Sequence, residues 1–290
     1  MTQPLFRKIT IFGVGLIGGS FALALRKAGA VGEVVGFGRS MHTLQQAQQL
    51  GIIDRIGKDV AIEVSDADLV LLATPVGQMA DIMARIAAHL GSHTLITDGG
   101  STKGDVVGYA YSHLGNHLSR VVPAHPIAGD EQSGATAARA DLYQGKKVVL
   151  TPLPENSAAT VARVRQAWES CGATVSELTA QQHDEVFAAV SHLPHLLSFA
   201  LVHDLAQRPN RELLLSFAAS GFRDFTRIAA SSPEMWRDIC LANRAALMGE
   251  LQQYAGELYA LYQALENSDA AKLEAVFTKA RNVRNNWKPQ

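Results

Sequence analysis

Short apolar runs alternate with amphipathic stretches as far as residue 179, and beyond it only the helical period continues. Ile9-Thr-Ile-Phe12 is apolar and rich in β-branched residues, the mark of a strand buried on both faces. Phe21, Leu23 and Leu25 then open a helical pattern that ends near Gly29. Glu33-Val-Val-Gly-Phe-Gly-Arg-Ser40 reads as a second strand with its exit loop, and Met41 to Leu50 as a helix. The cycle repeats with a central strand at Asp68-Leu-Val-Leu-Leu-Ala-Thr-Pro75 and a helix from Gln78 to Leu90. A strand at Thr94 to Asp98 follows, then a helix from Lys103 towards Leu114. Arg120-Val-Val-Pro-Ala-His125 is a further strand that carries His125 to the same edge, and the polar segment from Asp130 to Gly145 reads as a loop over it. Lys147 to Thr151 and Ala173 to Glu177 are two more strands, flanking a helix that holds Trp168. This alternation predicts an α/β domain with a doubly wound, mostly parallel sheet.

After Thr179 the pattern predicts helices at Gln181 to Ala206, Arg211 to Phe217, Pro233 to Ala245, Leu247 to Leu265 and Asp269 to Asn285. The chain therefore divides into an α/β domain, 1–179, and an all-α domain, 180–290. Leu247, Leu251, Tyr254, Leu258, Leu261, Tyr262 and Leu265 recur at helical spacing. Such a stripe is core by default, or a surface for a second copy. Periodicity does not separate the two.

The first strand-to-helix turn carries candidate chemistry. Gly13, Gly15 and Gly18 spell G-x-G-x-x-G between a strand and a helix, the Rossmann arrangement that binds a dinucleotide. Gly13 permits the tight turn, Gly15 lets backbone approach a pyrophosphate, and Gly18 lets the helix lie on the strand. The N–H groups at Leu16, Ile17 and Gly18 face the phosphates. Thr74 and Pro75 end the central strand where such sheets collect their ligands. An acidic residue that would bind the ribose hydroxyls of NAD is expected after the second strand, but Gly38, Arg39 and Ser40 stand there. Without a carboxylate to repel a 2′-phosphate, and with a guanidinium to hold it, the pattern predicts NADP over NAD. A solvated arginine in a turn is the plainer reading.

Composition narrows the class. The chain has 290 residues, 47% hydrophobic and 18% charged, with a formal net charge of −1. That balance offers no electrostatic case for nucleic acid or an anionic membrane. Two cysteines suit a reducing compartment. No signal-peptide core follows Met1, and no apolar run was expected to reach a membrane span, so the cytoplasm is the expected location.

Polar residues gather at strand ends and in two helical segments: Ser101, Lys103 and His125, then Ser191-His-Leu-Pro-His195 and Ser220-Gly-Phe-Arg-Asp-Phe-Thr-Arg227. Singly, each has a structural alternative. His125 could end a strand, Asp98 and Ser101 could cap the helix near Lys103, and Arg223 and Arg227 could be a solvated face. His192 and His195 are three apart but lack the carboxylates or cysteines of a metal site, so no metal is expected.

In order, G-x-G-x-x-G, Thr74-Pro75, Asp98-x-x-Ser-x-Lys103, His125-Pro-Ile-Ala-Gly129, Ser191-His-Leu-Pro-His195 and Ser220 to Arg227 resemble the prephenate/arogenate dehydrogenases of tyrosine biosynthesis. The resemblance spans Ile9 to Trp236. It implies oxidative decarboxylation of a cyclohexadienol, with hydride transfer to NADP or NAD. It further implies that His125 accepts the substrate hydroxyl and that Ser101 holds the imidazole and touches that hydroxyl. Arg227 would bind a substrate carboxylate, with His195, His192, Asp224 and Trp236 around it. A homodimer through the helical domain is implied too. The chain ends at Gln290, so no fused regulatory or chorismate mutase domain is expected. A β-hydroxyacid dehydrogenase needs a lysine in its helical domain, and none lies between Lys147 and Lys272. A non-catalytic NADP-responsive binding protein is the third reading.

Overall fold

A computed structural model describes residues 3–129 and 132–288. The chain runs through β1 (Phe6–Phe12), α1 (Leu16–Lys27), β2 (Val31–Phe37), α2 (Met41–Gln49), β3 (Arg55–Ile56), α3 (Val60–Ser65), β4 (Leu69–Leu72), α4 (Met79–Ile86), β5 (Leu95–Asp98) and α5 (Gly104–His113). It continues with β6 (Ala124–Pro126), β7 (Lys147–Leu150), α6 (Ala158–Ser170) and β8 (Thr174–Glu177). The strands β3-β2-β1-β4-β5 form one sheet, parallel at every pairing.

Period-2 alternation sends successive side chains to opposite faces, and here both faces are apolar. Ile9, Ile11, Leu69 and Leu71 pack on one side with Phe21 of α1 and Trp168 of α6. Phe12, Val70, Leu72 and Ile96 pack on the other with Met79 and Met83 of α4 and Val106 of α5. Residues 51–67 carry no such pattern because charge organises them. Arg55 bonds Glu33 at 2.6 Å and Glu63 at 2.7 Å, and Lys8 Nζ reaches Glu63 at 2.8 Å. The Arg55 hydrogen bond leads in holding the Glu63 carboxyl at a pKa of about 2.

The later strands correct the sequence reading. β6 pairs antiparallel with β7, which is parallel to β8, in a separate sheet of order β6-β7-β8. A single bridge, Ile96 to Val121, ties it to the edge of the first sheet. Residues Gly115–Arg120 are 3₁₀-helical, so the strand begins later than the apolar run suggests. Of the expected loop from Asp130 to Gly145, Asp130 and Glu131 lie outside the described residues. In the remainder Ala135, Leu142 and Tyr143 are buried and anchor the loop, the Tyr143 hydroxyl donating to the Ile17 carbonyl at 2.6 Å.

The second domain contains α7 (Ala180–Phe187), a π-helical turn (Ala188–His192), α8 (Leu193–Gln207), α9 (Arg211–Ser216), α10 (Ser220–Thr226), α11 (Pro233–Ala242), α12 (Arg244–Glu266) and α13 (Ala270–Asn286). Thr179 starts it with a capping box closed by Gln182. Against expectation, the continuous rod Ala180–Gln207 is by length and composition apolar enough to cross a membrane. Its polar side chains His183, His192 and Ser198 are buried and Asp184 is half-buried, each with a hydrogen bond to protein, an arrangement that hydrocarbon would not satisfy. The stripe on α12 is also not the core it reads as by default. Leu247 is buried, but Leu258 is 49% and Tyr262 58% exposed.

Candidate active site

The glycine turn has the geometry of a phosphate cradle. Gly13 has φ +96°, and a Cβ there would stand 2.4 Å from the Ala73 carbonyl oxygen. A Cβ on Gly18 would lie 2.2 Å from the Gly13 oxygen, so α1 rests directly on the turn. At Gly15 a Cβ would meet nothing within 4 Å. Gly15 is the N-cap of α1 and no side chain caps it, which leaves the N–H groups of Leu16, Ile17 and Gly18 aimed into that open space. Thr74 Oγ1, beside Pro75 at the end of β4, is buried without a hydrogen-bond partner. A pyrophosphate fits this cradle. Arg39 is exposed in the turn after β2, while Ser40 Oγ accepts from Thr43 N at 3.2 Å as the N-cap of α2.

β6 carries His125 beside the carboxyl end of β5. Asp98 fixes the approach: Oδ1 accepts from Ala124 N at 2.9 Å, and Oδ2 accepts from Gly100 N at 2.8 Å and from the fully buried Lys103 Nζ. Asp98 therefore does not cap α5. The cap comes from the other domain, where Asp184 Oδ1 accepts from Lys103 N at 2.8 Å and Oδ2 from Gly104 N at 2.7 Å.

His125 Nδ1 lies 2.8 Å from His183 Nε2, and His183 Nδ1 lies 2.8 Å from Asp184 Oδ1. Phe187 packs on both imidazoles, with ring centroids at 4.8 and 4.5 Å. Burial, then His183, Lys103 and His192, push the His125 pKa well below its ordinary value. Ser101 is half-buried, and its side chain makes no hydrogen bond among the described residues, so the group on Nδ1 is His183 rather than the serine.

His192 Nδ1 faces Asn243 Nδ2 at 3.1 Å, and the same amide nitrogen donates to the Asp184 carbonyl at 2.7 Å. Asn243 therefore donates to Nδ1 and His192 keeps its proton on Nε2, which is buried without a partner. Burial brings His192 down to a pKa of about 4. His195 stacks on Trp236 with centroids 3.6 Å apart, its Nδ1 2.8 Å from the Ser191 carbonyl, and the Trp236 Nε1 is also buried without a partner. Burial lowers the His195 pKa too, with Arg227 acting in the same direction.

His192 would oppose protonation of His125, His195 that of His192, and Arg227 that of His195, so the four groups share one electrostatic neighbourhood. Asp224 is left aside, exposed on α10 with Arg223 at 3.6 Å. Among the described residues no group of three potential metal ligands occurs. His183, Asp184 and Asn243 were not singled out in the sequence, since a His-Asp pair on a helix has no motif spacing to mark it.

A dinucleotide cradle and a neutral imidazole at one sheet edge place the protein among the NAD(P)-dependent oxidoreductases. Residues 21–177 match the family model of the prephenate dehydrogenase nucleotide-binding domain, and residues 179–279 match that of its dimerization domain. The chain is 34% identical over 284 residues to the cyclohexadienyl dehydrogenase of Zymomonas mobilis, covering 97% of this chain and 96% of that protein. It is 36% identical over 279 residues to the prephenate dehydrogenase of Bacillus subtilis, covering 95% and 75%. The chain belongs to the prephenate dehydrogenase family. Prephenate dehydrogenase from A. aeolicus, solved in complex with hydroxyphenyl propionate and NAD+, superposes with a TM-score of 0.90 at 36% identity, over 96% of this chain and 97% of that one. The arogenate dehydrogenase of Synechocystis superposes at 0.81 with 28% identity, over 96% and 99%. A 3-hydroxyisobutyrate dehydrogenase of Mycobacterium tuberculosis, at 0.56 and 15% identity, shares the fold alone.

Proposed function

We propose that the protein oxidises prephenate, arogenate or both at the ring carbon bearing the hydroxyl, with NADP as preferred acceptor and NAD as a second. The observation that carries this reading is the half-buried His125, beside the end of β5 and bonded through Nδ1 to His183 of the helical domain at 2.8 Å, with its pKa held low. When bound, the dinucleotide supplies the hydride acceptor. His125 Nε2 takes the hydroxyl proton as the carbon loses its hydrogen with both bonding electrons. The ring carboxylate leaves as carbon dioxide, its bonding pair aromatises the ring, and the oxygen regains the proton from His125. The imidazole therefore borrows one proton and returns it.

Ser101 is assigned to the substrate hydroxyl on the Nε2 side, since His183 occupies Nδ1. Arg227 is assigned to a substrate carboxylate, for which a guanidinium has the matching fork. The partnerless N–H groups of His192 and Trp236 suit further acceptor atoms of the substrate. Gly38 and the exposed Arg39 support NADP. The dimerization domain and the exposed α12 stripe support a homodimer, and the reading places the reaction in the cytoplasm.

The test is to incubate purified protein with each ring substrate and each cofactor, following reduced cofactor and released carbon dioxide. Stoichiometric appearance of both supports the reaction. No reduction with either ring substrate overturns it.

A further inference from the structure

We propose that Asp184 and His183 act as positioning residues, holding the His125 proton on Nδ1 so that Nε2 is left as the bare base. The inference rests on His125 as the proton acceptor of the reaction proposed above, and goes beyond it in naming what sets its tautomer.

The argument runs outward from the carboxylate. Asp184 accepts from two backbone donors, Lys103 N at Oδ1 (2.8 Å) and Gly104 N at Oδ2 (2.7 Å), and His183 Nδ1 lies 2.8 Å from Oδ1. Burial opposes the charge, but His183 and the Lys103 and Gly104 N–H groups outweigh it and hold the Asp184 carboxyl below its ordinary value, so Asp184 is ionised. An ionised carboxylate only accepts, so His183 Nδ1 carries hydrogen. With the buried cation of Lys103 nearby and His183 fully buried, the second ring is neutral and its Nε2 bears a lone pair. That lone pair faces His125 Nδ1 at 2.8 Å, so His125 must be the donor there. One proton per neutral ring leaves His125 Nε2 free to accept.

The relay is sealed and tied to the fold. Phe187 covers the contact between the two rings. The carboxylate that orients the rings also holds the start of α5 through Lys103 and Gly104, so docking of the helical domain and preparation of the base depend on one side chain. The logic is that of the serine-protease aspartate, which keeps its histidine in the productive tautomer, with a second imidazole inserted between them.

Two measurements test this. In protein labelled with 15N-histidine, long-range ¹H–¹⁵N correlations report which ring nitrogen holds the proton, with His125 assigned by loss of its signals in His125→Asn. The expected result is Nδ1–H for both His125 and His183. A dominant Nε2–H form of His125 overturns the proposal. Kinetically, His183→Leu removes the acceptor and is expected to lower kcat by about 10- to 100-fold, part of the general-base contribution, with KM little changed. His183→Gln, whose Oε1 can accept from Nδ1–H, is expected to recover most of it. Wild-type kcat in the leucine variant, or failure of glutamine to exceed it, overturns the relay.

If the leucine variant does not fold, the tautomer measurement on the unaltered protein decides. Because that measurement needs no turnover, an Nδ1–H His125 in a protein inactive on both ring substrates would sink the assigned reaction and leave the relay standing.

Discussion

Burial, with His183, Lys103 and His192 acting in the same direction, keeps the His125 imidazole uncharged through the neutral range. The neutral ring is the form that accepts a proton, so activity is present above the depressed pKa and is lost as pH falls through it. The acid limb of kcat/KM is therefore expected below pH 6.5, the ordinary value for the group. A limb above that value would assign it to another residue. His125→Asn is expected to lower kcat by about 10²-fold or more while dinucleotide affinity, read by calorimetry, is unchanged. Retained turnover would remove His125 from the chemistry. Arg39 is a separate case, because it is exposed and its worth depends on the phosphate it meets. Arg39→Ala is expected to reduce the ratio of kcat/KM for NADP over NAD about tenfold, the scale of one charge-assisted contact at an exposed site. An unmoved ratio would leave Arg39 as a solvated turn residue.

At the scale of elements, two glycines three residues apart separate fold from function. A methyl at Gly18 would strike the Gly13 carbonyl and Ile11, pushing α1 off β1, whereas at Gly15 it would enter open space. Gly18→Ala is expected to cost about 1–3 kcal/mol by overpacking, seen as a lowered Tm. Gly15→Ala is expected to keep its Tm and lose dinucleotide affinity. Equal thermal loss in both would contradict the cradle. The same contrast explains what was legible from sequence. β1 and β4 are apolar on both faces, so their run of hydrophobic residues announces them. β3 and α3 are held by Arg55, Glu63 and Lys8 instead, and no apolar period marks them. His125 stood out in the sequence because an apolar run leads into it, although β6 holds it mid-strand between Ala124 and Pro126. His183 and Asp184 did not, because their partners lie 58 and 81 residues away, and nothing local distinguishes them from other polar pairs on a helix surface.

The whole molecule leaves its helical domain unfinished on one side. Leu251, Tyr254, Leu258, Tyr262 and Leu265 recur at helical spacing on α12 and are exposed, and Phe217 beyond α9 and Phe277 and Val283 of α13 are exposed as well. A stripe of large apolar side chains along an exposed helix marks an interaction surface. The match to the dimerization domain, residues 179–279, takes in α12 and supports the proposed second copy as the partner of its stripe. α10, with Asp224 and Arg227 near its end, belongs to the same domain, and α8 and α12 both contact the turn that carries His192. Loosening the dimer should therefore reach substrate binding before it reaches the dinucleotide, which is held by the other domain. Leu258→Glu sets a charge in the middle of the stripe and away from every residue assigned to chemistry. It is expected to weaken self-association by at least about 100-fold, or about 2.7 kcal/mol. Sedimentation velocity over a dilution series reads that directly. A KM for the ring substrate that rises with dissociation, while dinucleotide affinity holds, ties the site to the assembled pair. A variant that remains dimeric at every concentration would show that this stripe is not the contact surface.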